Sequence, residues 1–132
     1  MKKDNSDLIL LFIQSINQHD AAKLRELMSE DHLFVDALGE TVKGREQMGN
    51  AWEAYFQIIP DYEVITETLL QEGNIVGVFG TAQGNYAVDG RLPAENHWKI
   101  PVAWRAMVKK NLIAEWRVYA DNEPLRYIMG RQ

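Results

Sequence analysis

A carboxylate set in an apolar strand is the first feature of this chain that could do chemistry. In HLFVDALGETVKG, residues 32–44, the segment His32 to Leu38 is rich in β-branched, aromatic and aliphatic residues, yet it holds Asp36. Burying a carboxylate without a partner is costly. Two readings of Asp36 stay open. It is a strand-end acid, solvated or paired to a base such as Arg105, or it is a general base tuned by a mostly apolar pocket. Arg105 is either that ion-pair partner or a substrate anchor, and an Arg beside the acid would make it a weaker base. His97 could shuttle protons near neutrality, although a surface place beside a loop suits it as well. Asp121 precedes NEPL, a sequence suited to a helix start, which favours capping over catalysis. His19, His32 and His97 share no ligand spacing, and no metal is expected. GTAQG lacks a phosphate-loop context. The chain has no cysteine, which excludes disulfides and thiol chemistry. No cofactor is expected.

Positioning such groups requires a core. The 132 residues suit one domain over 1–132, and 46% hydrophobic with 25% charged residues is the ordinary globular balance. The net charge is −5 and no basic stripe appears, so nucleic acid is not an expected partner. No apolar run approaches the ~20 residues needed to span a bilayer, so no membrane is expected. Lys2 and Lys3 precede LILLFI, but the apolar run is short and polar residues follow, so the start reads as a helix of the mature protein. A cytoplasmic protein is expected.

Asp4 to Asn17 reads as a helix with a wide apolar face, and Asp20 suits the cap of a second helix, Ala21 to Met28. After the first strand, LGE turns and TVKG returns. Met48, Trp52, Tyr55, Phe56 and Ile59 lie at helical spacing on a third helix, Arg45 to Ile59, which Pro60 stops. Then come YEVITETLLQ, IVGVFGTAQGNYAV, HWKIPVAWRAMVK and LIAEWRVYA, with Lys110-Asn111 as a hairpin turn between the last two. A short last helix follows, with Pro124 in its first turn. Helices first and a mostly antiparallel sheet after them define an α+β class, with a pocket at the concave face of the sheet.

This order resembles the nuclear transport factor 2-like superfamily over nearly the whole chain. NQHD after the first helix, DALGETVKG, IIPDYEV, GTAQGNY and AEWRVYADNEPL carry the likeness, which is nearest to the SnoaL-like polyketide cyclases. The resemblance implies a cone-shaped curved antiparallel sheet wrapped around N-terminal helices, a cystatin-like α+β barrel. In the ketosteroid isomerases of this fold the general base follows the Asp that ends the first helix by sixteen residues. Asp20 and Asp36 hold that spacing. Phe12 stands where those enzymes have an oxyanion-hole Tyr, and Ala103 lies near their protonated Asp. Neither can donate a side-chain hydrogen bond, so steroid isomerisation by that route is not implied. The limonene epoxide hydrolases' Arg and acids are missing too, with Val118 at one acid position. Ala82 replaces a His found in many SnoaL-like sequences. Those cyclases use an Asp acid/base, and Asp121 would correspond to it if its strand bulged near the end.

The last hairpin allows a statement about faces. With Lys109 opposite Leu112, alternation puts Arg105, Ala103, Lys99 and His97 on one face with Trp116, Val118 and Ala120. The resemblance turns that face to the pocket, walled also by Phe12, Phe34, Met48, Trp52 and Tyr55. Trp98, Ile100, Val102 and Trp104 then fall on the outer face with Arg117 and Tyr119. Such a face suggests a homodimer interface. The expected function is a cofactor-free isomerase or cyclase acting through Asp36 on a small hydrophobic carbonyl compound. The alternative is a non-catalytic ligand-binding or dimerisation domain.

Overall fold

The computed structural model describes residues 4–132; residues 1–3, and with them the Lys2-Lys3 pair, lie outside it. Helix α1 (Asn5–Asn17) buries Leu8, Ile9, Phe12, Ile13 and Ile16. The breadth of that apolar face sinks the helix into the core. Asp20 caps α2 (Ala21–Leu27) by accepting the Lys23 N–H at 3.0 Å. Strands β1 (Met28–Val35) and β2 (Thr41–Lys43) then form a hairpin, and α3 (Arg45–Ile58) crosses above them. Strands β3 (Glu63–Glu72), β4 (Ile75–Asn85), β5 (His97–Lys109) and β6 (Leu112–Tyr119) follow, and α4 (Glu123–Gly130) ends the chain. Lys110 and Asn111 both have positive φ, 50° and 62°, as a tight β5–β6 turn requires.

The six strands make one open sheet in the order β2-β1-β6-β5-β4-β3. Only the β1–β6 pair is parallel. The sheet is curved and does not close into a barrel. Its inner face packs on α1 and α3, and one hydrophobic core joins them, with Phe12, Ile9, Ile16, Leu24, Val76, Val78 and Trp116 almost wholly buried.

The facing expected from the last hairpin is overturned. Lys109 does pair with Leu112 and Val108 with Ile113, but beyond them Met107 pairs with Glu115 and Ala106 with Trp116. Ala114 is the extra residue of a β-bulge, and one extra residue reverses every later side chain relative to the partner strand. Trp116 and Val118 therefore share a face with Ala106, Trp104, Val102, Ile100 and Trp98. Trp98, Ile100, Val102 and Trp104 are buried within the monomer and form no outer interface. His97, Lys99, Ala103 and Arg105 face outward.

The parallel strand bulges at the same level. Met28 pairs with Ile113 and Leu33 with Glu115, so β1 carries extra residues there. His32 closes the gap: its Nδ1–H donates to the Ile113 carbonyl at 2.7 Å, and the ring is fully buried. Burial pushes the imidazole below its ordinary value of 6.5, against the opposing pull of that carbonyl and of Glu115 and Asp31. The native state holds the ring neutral while the unfolded chain takes up the proton near its ordinary value. Stability from this site is complete above that value and falls as pH drops below it. The melting temperature is expected to be lower at about pH 5.5 than at about pH 7.5. In His32→Gln, less stable overall, the difference should shrink; an unchanged pH slope in that variant would refute the assignment.

Candidate functional site

Between the inner face, α3 and α4 lies a cavity of about 350 Å³. That size is sufficient for a small organic molecule. Trp98, Ile100, Val102 and Trp104 of β5 and Trp116 and Val118 of β6 form one wall, and Met48, Ala51, Trp52 and Tyr55 of α3 the facing one. Leu125, Arg126 and Met129 of α4 close a third side, joined by Asn122 just before that helix. Arg126 and Met129 are exposed, so the cavity meets solvent beside α4.

Asp36 lies where β1 gives way to the turn, on the same face as Phe34, and both line the cavity. Its Oδ1 accepts the backbone N–H groups of Leu38 and Glu40, each at 2.9 Å. Its own N–H donates to the Glu40 carbonyl at 2.9 Å. One carboxylate oxygen thus fixes the turn, while Oδ2 has no hydrogen-bond partner among the described residues. Asp36 is half-buried: it holds the turn and is also one of the residues that line the cavity.

The structure gathers Asp36, Phe34, Met48, Trp52, Tyr55, Trp116 and Val118 around the cavity. Five other expected site residues are not there. Phe12 is fully buried beneath the wall, with its ring centroid 5.0 Å from Trp116 and 6.4 Å from Trp52. Ala103 is on the outer face through the bulge. Arg105 is there too, 3.2 Å from Glu115, so it neither pairs with Asp36 nor reaches a ligand in the cavity. His97 is exposed and bonded to the Asn85 side chain at 3.1 Å. Asp121 also lies outside the cavity; its carboxylate accepts the Glu123 N–H at 3.0 Å at the start of α4. The N-cap position of α4 is Asn122, so Asp121→Ala removes one side-chain hydrogen bond ahead of the helix and is expected to lower stability by about 0.5–1.5 kcal/mol, as read by chemical denaturation. No change in the denaturation midpoint would remove that role.

Tyr62 is one of the cavity residues that sequence reasoning missed, with Trp98, Ile100, Val102 and Trp104 of β5 and Asn122, Leu125, Arg126 and Met129 at α4. It sits between α3 and β3, packed against Tyr55 at 4.9 Å and Trp98 at 6.0 Å. NQHD and IIPDYEV hold it there. Asn17 brackets Val64, donating to its carbonyl at 3.0 Å and accepting its N–H at 2.8 Å. His19 Nε2–H donates to the Tyr62 carbonyl at 2.9 Å, its ring stacked on Phe56. The alternation of β5 could have revealed the inner wall: Trp98, Ile100, Val102, Trp104, Ala106 and Val108 are apolar at every second position. Among the described residues no group of three or more acidic or histidine side chains is gathered to hold a metal.

A curved open sheet over helices, with an aromatic cavity on its concave side, is the architecture of the nuclear transport factor 2-like superfamily. Within it, the model of the SnoaL-like domain matches residues 9–116, and the chain belongs to that family. No curated protein matches. Among solved structures, a protein of Shewanella denitrificans assigned to the SnoaL-like polyketide cyclases superimposes with a TM-score of 0.82 at 15% identity, over 97% of this chain and 98% of its own. IdmH of Streptomyces antibioticus, assigned as a polyketide cyclase, gives 0.79 at 21% identity over 97% and 99%. A ketosteroid isomerase-like protein of Catenulispora acidiphila, solved with trimethylamine, gives 0.80 at 18% identity over 93% and 92%. At these identities the likeness is one of fold. Among the described residues no helix is long and apolar enough to cross a membrane.

Proposed function

We propose that the protein binds a small hydrophobic, carbonyl-bearing molecule in this cavity and that Asp36 moves a proton on it without a cofactor, as in an isomerase or cyclase. The observation that carries the reading is the Asp36 carboxylate at an otherwise mostly apolar cavity, with Oδ1 anchored by two backbone amides and Oδ2 unpartnered. A base held by its own turn keeps its position through a proton transfer. Kinship with the SnoaL-like family supports the same reading.

One observation favours a second reading, a binding domain without catalysis. The polar groups of α4 at the cavity are turned toward each other: Arg126 Nε donates to Asn122 Oδ1 at 2.6 Å. That bond ties Arg126 to the start of its own helix, and no hydrogen bond among the described residues joins Arg126 to Asp36. A turnover screen with enolisable aromatic ketones, paired with binding measurements, separates the two. Turnover supports the enzyme; tight binding with no conversion across the panel leaves the binding domain.

We also propose a homodimer, formed by the outer sheet face. Phe79, Ala103 and Tyr119 lie in one row across β4, β5 and β6, and Phe79 and Tyr119 are 45% and 48% exposed. Exposed aromatics in register make such a face a candidate interface. Sedimentation is expected to give a dimer at micromolar concentration, and Tyr119→Glu a monomer. A monomeric wild-type protein would remove the proposal.

A further inference from the structure

The cavity has a second polar end that the Asp36 reading does not use. Tyr55 and Tyr62 both line it, and their rings meet edge to face at 4.9 Å. Neither phenolic oxygen has a hydrogen-bond partner among the described residues. Neither oxygen is sealed inside the protein, so each is open to water or a ligand in the cavity, and most hydroxyls in folded proteins are paired in one such way. Both rings are held neutral: burial pushes each phenol well above its ordinary value, and the two oppose one another's ionisation at Tyr55. The groups around them are Trp52, Phe56 and Trp98, with no cation among them.

The two ends are far apart along the sheet. Tyr62 packs on Trp98, whereas Asp36 continues β1 at the level of Val118, which pairs with Trp104. Trp98 and Trp104 are six residues apart on one strand, about 20 Å of backbone. The phenols and the carboxylate therefore address different parts of a bound molecule.

We infer that Tyr55 and Tyr62 form a neutral donor site that orients the ligand by hydrogen-bonding an uncharged oxygen acceptor, a ketone or ether oxygen, at the end of the cavity away from Asp36. An anionic oxygen would be disfavoured there, because a desolvated site without a cation cannot offset its lost hydration. The two tyrosines are positioning residues. The inference rests on the reading that the cavity holds a ligand, and is independent of whether Asp36 performs chemistry.

The test compares 9-fluorenone with fluorene, two planar probes that differ by one ketone oxygen, using quenching of tryptophan fluorescence in the full chain. The wild type is expected to favour the ketone by roughly tenfold relative to the Tyr55→Phe/Tyr62→Phe double variant. The variant removes only unpartnered hydroxyls, and its melting temperature serves as the check on folding. The carbonyl stretch of bound fluorenone should lie at lower wavenumber in the wild type than in the double variant, a signature that a purely structural role for the tyrosines would not produce. Equal preference and equal stretch in both proteins would overturn the donor site and leave the cavity reading standing. Failure of both probes to bind the wild type would overturn the two together.

Discussion

Asp36→Asn is expected to fold normally, to bind ligand within about tenfold of the wild type, and to lose the ~10²–10⁴ in turnover that general-base catalysis contributes. The expectation comes from the two roles of the side chain. Oδ1 accepts the Leu38 and Glu40 N–H groups, and an asparagine carbonyl can accept both in the same place. The turn that joins β1 to β2 therefore survives the substitution. What changes is the second oxygen, which becomes an NH₂ group that cannot take a proton from a substrate. A fall in the specificity constant carried by kcat, with KM little altered, is the pattern for an interaction made only in the transition state. Asp36→Ala is the informative contrast, because it also removes the acceptor of two backbone amides and should destabilise the turn. If Asp36→Asn keeps full turnover on a substrate found by screening, the carboxylate serves the turn alone.

A second large effect concerns stability. Phe12→Ala is expected to cost about 3–5 kcal/mol, as truncation of a fully buried aromatic ring does. Phe12 is at the centre of the aromatic packing, edge-on to both Trp116 and Trp52. Its removal opens a void beneath two residues that wall the cavity. Because a domain of this kind is stable by only ~5–15 kcal/mol in total, the variant should show a large drop in the urea midpoint. Ligand affinity should weaken as well, since Trp52 and Trp116 lose the ring that supports them. A loss below about 1 kcal/mol would mean that neighbouring side chains collapse into the space, and that Phe12 does not support the wall.

Which elements form was written in local patterns. The wide apolar face of α1, the Asp20 cap, the stop at Pro60 and the Lys110-Asn111 turn depend on residues close in sequence, and their positions in the structure agree with those signals. Alternation put Asp36 on the side of Phe34, but only the family resemblance implied that this side faces inward; in the structure both residues line the cavity. The walls contributed by α3 followed from helical spacing.

What the sequence by itself determined was the set of elements, their order, and the side chains each could offer. The tertiary structure decided which of them meet. The bulge at Ala114 arises where β6 is paired on both sides, antiparallel to β5 and parallel to β1, a partner some eighty residues earlier in the chain. No local signal marks an unpaired residue in such a strand, because pairing is a property of three strands together. That single residue set Trp116 and Val118 on the face of Trp98 and Trp104 instead of the face of Arg105, His97 and Ala103. Tyr62 reached the cavity for a similar reason: its place is fixed by Asn17 and His19, more than forty residues away. Local propensity chooses conformations, but the register between distant strands chooses neighbours, and the candidate site is made of neighbours.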